Sequence, residues 1–166
     1  AKAMELNERV AEANQRVLGP EHPSTLTTLG NLALAYANNG EYAKSIDLNE
    51  RVAEVRQRVL GPDHPDTLLV LGNLAVAYGN SGEYAKSIDL NERVAEMKQR
   101  VLGPEHPSTL ITLSNLAQAY KDIGEHEKAV ELQKSVVATY EGIFGPDSKF
   151  FKNSKNMMSI KLFSIV

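Results

Sequence analysis

The sequence repeats itself with a period of 42 residues. The motif Gly-Pro-Asp-His-Pro at 61–65 has close copies one period before and one period after it. Residues 19–60 differ from residues 61–102 at only nine positions. A fixed period of this size is typical of solenoids, in which each unit buries its apolar face only against its neighbours. The sequence therefore predicts a stack of similar units instead of one central core.

Each unit is predicted to contain two helices. In residues 19–60, Gly19 suits the end of a preceding helix, and Pro23 suits the first turn of a new one. Apolar residues then recur at helical spacing and predict a helix A from about residue 24 to residue 38. A helix B is predicted from about residue 41 to residue 60. On its polar face, acidic and basic side chains four residues apart predict two ion pairs, Asp47–Arg51 and Glu54–Arg58.

The pattern Leu29-x-x-Leu32-Ala33-x-x-Tyr36 resembles the opening of a tetratricopeptide repeat, which reads W-x-x-L-G-x-x-Y and continues A-x-x-x-F. The period of 42 and the junction Leu-Gly-Pro-x-His-Pro are similar to the kinesin-light-chain-like branch of that family. The resemblance covers residues 1–144. It implies an all-α fold, a right-handed α-solenoid of antiparallel helix pairs that forms a tetratricopeptide superhelix.

Helix B departs from the family pattern at one position, where an amide replaces the expected aromatic. The residues are Asn7, Asn49, Asn91 and Gln133. A buried amide that lacks a hydrogen bond costs about 1–3 kcal/mol. We therefore expect these side chains to form a ladder of hydrogen bonds between neighbouring helices, with ligand contact as the alternative.

The repeat divides the chain into an array and a tail. The array, residues 1–144, comprises a half repeat at 1–18 and full repeats at 19–60, 61–102 and 103–144. Ala1 aligns with Ala43 inside helix B, so we expect a fragment of a longer array. Its first helix B should leave an apolar ridge exposed, made of Met4, Leu6, Val10, Ala13 and Val17.

The tail, residues 145–166, carries four lysines against one aspartate, so its net charge is +3 and that of the remainder −6. Phe151, Met158, Leu162 and Ile165 are spaced as one helix face. This pattern predicts a helix that caps the last helix B. The alternative is a helix that covers the exposed N-terminal ridge of another copy, which would make a homo-oligomer through the terminal helices.

Several function classes find no support in the residues. A net charge of −3 gives no reason to expect a nucleic-acid partner. No segment is long and apolar enough to span a membrane, so no membrane partner is predicted. The absence of cysteine fits a cytoplasmic protein. His22, His64 and His106 are one period apart, too far to share a metal ion, so we expect them to close the turns between repeats. No metal, cofactor or catalytic residue is predicted.

What remains is a binding surface for a protein or peptide. In the tetratricopeptide family, helix A builds the inner, concave wall, and the resemblance therefore implies a peptide-binding face. Its residues are Thr27, Gly30, Asn31, Leu34, Asn38, Leu69, Gly72, Asn73, Val76, Asn80, Ile111, Ser114, Asn115, Gln118, Lys121 and Asp122. This face is small and apolar in two repeats and lacks a cluster of basic residues, so it should prefer an apolar segment.

Two features of this face have alternative explanations. Asn31, Asn73 and Asn115 either pair with the backbone of a bound peptide or bond neighbouring helices. Gly30, Gly72 and Gly79 admit either a partner backbone or a neighbouring helix.

The leading functional hypothesis is a non-catalytic protein-interaction scaffold. The alternatives are the sensor or autoinhibitory arm of a NACHT or NB-ARC ATPase and a self-assembling structural module.

Overall fold

The structure, a computed structural model, describes residues 2–145, and this part of the chain contains α-helices joined by short turns and no strand. Helices B alternate with helices A in chain order. The helices are α1 (Lys2–Leu18), α2 (Pro23–Asn38), α3 (Tyr42–Leu60), α4 (Pro65–Asn80), α5 (Tyr84–Leu102), α6 (Pro107–Asp122) and α7 (His126–Phe144). The predicted limits of the first helix A and helix B are each confirmed to within one residue.

The chain forms two compact units, one of which ends at Leu90 while the other begins at Asn91. In the first unit α1 packs on α2, α2 on α3, and α3 on α4, and in the second unit α6 packs on α7. In each of these four pairs a helix contacts the helix that follows it, as the repeat predicts. The apolar ridge expected on α1 is exposed at Leu6, Val10, Ala13 and Val17, while Met4 is half-buried. The capping or swapping helix predicted for the tail lies outside the described residues.

The turn between repeats is set by the junction motif. The backbone of Gly61 has φ of 96°, a conformation that residues with a side chain rarely adopt, and its N–H donates to the carbonyl of Gln57 at 3.1 Å. Pro65 then opens α4, where its missing N–H leaves no hydrogen bond unmade. The same geometry recurs at the other junctions, which is why the helix limits repeat with the sequence.

The core is a stripe along each helix A and the facing residues of helix B. In α2 the buried apolar residues are Leu26, Leu29, Leu32, Ala33 and Tyr36. In α3, Leu48, Val52 and Ala53 are buried, and Val52 is fully inaccessible. Since α2 contacts both α1 and α3, its stripe is shared between two helices B, and apolar burial of this kind is the main source of folding energy.

A polar contact accompanies this apolar packing in every repeat. The Tyr36 hydroxyl donates to a carboxylate oxygen of Glu8, 28 residues earlier, at 2.5 Å. The ammonium group of Lys44, in the following helix B, lies 4.8 Å from the centre of the Tyr36 ring. We call this arrangement the tyrosine tie, because it links one helix A to both flanking helices B. Its other copies are Glu50–Tyr78–Lys86 and Glu92–Tyr120–Lys128.

A second polar contact joins the later part of helix B to the start of the next helix A. The Asn14 amide donates to the Thr28 hydroxyl at 2.8 Å, and the Arg56 guanidinium donates to the Asp66 carbonyl at 2.9 Å. At the equivalent position, the Lys98 ammonium donates to the Thr112 hydroxyl at 2.9 Å. Lys98 is buried, and burial lowers the pKa of its ammonium group.

The prediction of an amide ladder between helices is wrong at Asn49. Its side-chain nitrogen lies 3.4 Å from the hydroxyl of Ser45 in the same helix, and its side-chain oxygen has no hydrogen-bond partner although the residue is buried. The stripe of α2 that faces this helix is largely apolar, so it offers few acceptors or donors across the interface. Asn7, in α1, is exposed instead of semi-buried.

The two ion pairs predicted on helix B have different outcomes. Arg51 lies 3.9 Å from Asp47, so this pair is confirmed. The predicted partner of Arg58 is wrong, because its guanidinium lies 2.6 Å from Glu21 in the junction before α2 instead of pairing with Glu54. All four paired side chains are exposed, and such pairs contribute about 0–1 kcal/mol each.

The tyrosine tie predicts the effect of removing a single hydroxyl. Tyr78→Phe should lower the free energy of unfolding by about 1.5 kcal/mol, because it removes a hydrogen bond to a carboxylate and keeps the packed ring. Urea unfolding at neutral pH measures this loss. Tyr42→Phe is the matched control, since its hydroxyl bonds none of the described residues. An equal loss in both variants would contradict a specific role for the tie.

The same tie predicts a pH dependence. Burial and the hydrogen bond to Glu50 raise the pKa of Tyr78 to about 12 from 10.0. The unfolded chain therefore loses the phenol proton first, and the stability contributed by Tyr78 is present below pH 10 and lost as the pH rises towards 12. Urea unfolding across this range should show a smaller decline for Tyr78→Phe than for the parent. Parallel declines would contradict the prediction.

Candidate functional site

Each helix A has a second face opposite its buried stripe. In α2 this face consists of Thr27, Asn31, Leu34 and Asn38, which follow one another at spacings of four, three and four residues and are all exposed. Leu34 leaves 55% of its surface accessible. A leucine with this exposure contributes little to folding, which leaves it available to a partner. We call this surface, with its equivalents in α4 and α6, the helix A face.

The helix A face retains its character in α4. Leu69, Asn73, Val76 and Asn80 are exposed there at the equivalent positions. The face therefore presents exposed apolar groups beside side-chain amides, and it carries no formal charge at these positions of α2 and α4. Such a surface can bury apolar side chains of a partner while the amides bond to its backbone.

The helix A face is more polar in α6. Ile111 is exposed, but Ser114, Asn115 and Gln118 are half-buried. The Gln118 amide donates to Asp122 at 2.7 Å, and the Ser114 hydroxyl donates to the Leu110 carbonyl at 3.0 Å. Lys121 is half-buried near the end of the helix. Polar groups that already bond within the helix are less available to a partner than those of α2 and α4.

The three asparagines at the centre of the face make no hydrogen bond through their side chains within residues 2–145. Asn31 and Asn73 are exposed, and Asn115 is half-buried. The structure therefore does not contain the helix–helix bonds that were one of the two explanations for these residues. Each amide keeps a donor and an acceptor for another molecule.

The glycines of helix A do not share one role. A Cβ atom at Gly30 would meet nothing within 4 Å, so no neighbouring helix requires glycine there. At Gly79, a Cβ atom would lie 3.2 Å from the Ser87 hydroxyl of α5, so close helix packing accounts for this residue. Gly72 is half-buried on the helix A face. Space for a partner therefore remains an explanation for Gly30 and not for Gly79.

The repeated histidines have the local role predicted for them, and the structure specifies it. The Nδ1 atom of His22 accepts a hydrogen bond from the backbone N–H of Ser24 at 3.1 Å, and this contact caps the N-terminus of α2. His64 and His106 cap α4 and α6 at the same distance. Among residues 2–145, no three histidine or acidic side chains lie close enough together to hold a metal ion.

No helix within residues 2–145 combines the length and the apolar character needed to span a membrane.

The polar contacts that the repeat pattern alone did not reveal are the tyrosine tie and the Lys98 contact. Both lie between helices and away from the helix A face. The recurrence of Glu, Tyr and Lys at fixed spacings was a signal for the tie, whereas Lys98 has Asn14 and Arg56 at the equivalent positions and gave no such signal.

Comparison with known proteins gives one family. The tetratricopeptide repeat model matches three overlapping segments, residues 1–51, 26–99 and 80–142. No curated protein matches the sequence significantly.

Solved structures of similar fold agree with that family. Two crystal structures of a protein of Podosopora anserina, described as a kinesin light chain with nearly identical TPR-like repeats, have TM-scores of 0.76 and 0.74 and 34% sequence identity. The match covers 85% of this chain and 66% and 67% of those chains. BtubC (BKLC) of P. vanneervenii has a TM-score of 0.77 at 21% identity, over 87% of this chain and 57% of that one, and supports the fold alone. The predicted all-α tetratricopeptide solenoid is thus confirmed.

The histidine caps predict a measurable loss when one of them is removed. His64→Ala should lower the free energy of unfolding by about 1 kcal/mol, because the N–H of Asp66 loses its acceptor. His64→Asn should retain most of the stability, since asparagine is a favoured N-cap residue. Urea unfolding of the two variants beside the parent tests this. Equal losses in both variants would contradict the capping role.

Proposed function

The chain belongs to the tetratricopeptide repeat family, with repeats of the kinesin-light-chain type, and from that premise we propose that it binds a peptide segment of a partner protein on the helix A face. Proteins of this family are protein-interaction scaffolds in general. The finer claim, that this chain holds a peptide along the helix A face, is our own. It rests above all on the exposed Leu34 and Val76 beside the unbonded amides of Asn31 and Asn73.

The chemistry of the face favours an uncharged, apolar peptide segment. Leu34, Leu69 and Val76 supply apolar area, which contributes about 25 cal/mol for each Å² removed from water. The neighbouring amides supply a donor and an acceptor each, which matches the N–H and C=O of a peptide backbone. No cluster of lysine or arginine is present on this face in α2 or α4 to hold an acidic segment.

We further propose that the protein acts without catalysis and in the cytoplasm. Three of the four histidines, which are the residues most suited to acid–base chemistry, are used as helix caps. Tetratricopeptide and kinesin-light-chain-like proteins are typically non-catalytic scaffolds. The sequence has no cysteine, which fits a reducing compartment.

A peptide-display selection tests the proposed binding face. Peptides selected on the parent protein should share a short apolar core, and their affinity should fall at least about tenfold for the double variant Leu34→Glu, Val76→Glu. The physical reason is that each new carboxylate must lose its water when an apolar side chain packs against it. Calorimetric titration of a selected peptide measures the change.

Val59→Glu is the matched control for this experiment. Val59 is as exposed as Leu34, at 54% against 55%, but lies near the end of α3 on a helix B. It should leave the affinity unchanged. Selected peptides that bind the double variant as tightly as the parent, or that respond to Val59→Glu instead, would contradict binding on the helix A face.

A further inference from the structure

The turn that joins helix A to helix B has the same glycine in each full repeat but a different residue before it. The glycine has a positive φ in each turn, 80° at Gly40, 87° at Gly82 and 84° at Gly124. The preceding residue is Asn39 in the first turn, serine in the second and isoleucine in the third. Asn39-Gly40 is the only Asn-Gly pair in the sequence, so one of three equivalent turns differs from the others in its chemistry.

An asparagine that precedes glycine is chemically labile for a steric reason. The side-chain amide is lost when the backbone nitrogen of the next residue reaches Cγ of the asparagine. Glycine has no Cβ atom to obstruct that approach, and asparagine is among the thermolabile residues of proteins. Asn39 and Gly40 are both exposed, so water has access to the reacting atoms.

The position of Asn39 at the end of α2 separates it from the other asparagines. It is the C-cap of that helix, whereas every other asparagine of residues 2–145 lies within a helix. The Gly40 N–H donates to the Ala37 carbonyl at 3.0 Å and must be released before it can react. Opening a turn costs much less free energy than opening a helix. The folded chain should therefore react slowly, and at Asn39 before any other described asparagine.

We propose that Asn39 is a site of spontaneous deamidation, at which the chain converts its own asparagine to aspartate and isoaspartate. The Gly40 nitrogen loses its proton to solvent and forms a bond to Cγ of Asn39. The bond from Cγ to Nδ2 breaks, and Nδ2 takes up a proton and leaves as ammonia. Water then opens the resulting ring. Cleavage at Cγ gives aspartate, and cleavage at the backbone carbonyl gives isoaspartate. One water is consumed, one ammonia is released, and nothing is oxidised or reduced.

The product fits the turn less well than asparagine does. The Asn39 amide donates to a carboxylate oxygen of Glu41 at 2.6 Å, and an aspartate there offers a like charge in place of that donor. Lys44 pairs with Glu41 and reduces this repulsion. A negative charge is also unfavourable at the C-terminal end of a helix. Isoaspartate in addition lengthens the main chain beside the bond from the Glu41 N–H to the Tyr36 carbonyl. Deamidation should therefore destabilise the turn between α2 and α3.

Peptide mapping by mass spectrometry, after storage of the folded protein in alkaline buffer made with heavy-oxygen water, tests the site. The product at Asn39 should be three mass units heavier, one from the change of amide to acid and two from the oxygen isotope. It should exceed the product at Asn31, which is exposed within α2, at least about tenfold, since Asn31 reacts only when the helix opens. A peptide of residues 36–44 is the reference for the unfolded turn and should react faster.

Asn39→Ser is the matched control. Serine is the residue of the second repeat, where the Ser81 hydroxyl donates to Glu83 at 3.2 Å, so the variant keeps a donor to the acid but cannot form the ring. Its turn should acquire no label. Asn39→Asp, which adds the charge without lengthening the main chain, should unfold at a lower urea concentration than Asn39→Ser. Deamidated protein separated by anion exchange should unfold at a lower concentration still.

The proposal is overturned if Asn39 in the folded protein gains no more label than Asn31, or if the peptide of residues 36–44 does not react. Label in the same turn of Asn39→Ser would also overturn it, because the ring could not then be the route. Equal urea midpoints for Asn39→Asp and Asn39→Ser would overturn the proposed effect on the turn.

Discussion

Apolar burial between successive helices is the interaction on which the rest of this structure depends. A helix A such as α2 packs on α1 and on α3 at once, and its stripe of leucines and Ala33 is buried only because both neighbours are present. A single repeat would expose half of that stripe to water. The stability of the array is therefore a sum of contacts between neighbours, and the polar contacts refine it. The tyrosine tie is the clearest of these, because a single side chain, Tyr36, contacts both flanking helices B.

The functional surface follows from the same constraint. One side of helix A packs against its two neighbouring helices B, and the opposite side is not needed for this packing. Leu34, Val76 and the unbonded amides of Asn31 and Asn73 lie on that opposite side.

The sequence alone predicts most of the fold, because its local signals agree with one another. Gly61 has a positive φ that ends one helix, and Pro65 opens the next. Between one junction and the next, the apolar residues recur at helical spacing. The helix limits therefore follow from the sequence to within a residue. The predictions that are wrong concern side chains whose partner depends on three-dimensional placement. Arg58 pairs with Glu21, 37 residues away, and not with the acid one turn earlier. Asn49 faces an apolar stripe and bonds within its own helix. On the candidate site, the exposure of Leu34 follows from helical periodicity, whereas the open space at Gly30 and the close contact of Gly79 required coordinates.

Deletion of one whole period tests most directly the claim that neighbour contacts in a register of 42 residues hold the protein together. Removing residues 61–102 joins Leu60 to Gly103, restores the native junction, and keeps the spacing of 28 residues that places Tyr120 opposite Glu50. Removing residues 61–98 instead adds one turn to helix B and breaks that spacing. Urea unfolding should show that the first deletion leaves a cooperatively folded protein of lower stability, and that the second is much less stable although it is four residues longer. Equal stability of the two deletion proteins would contradict the account.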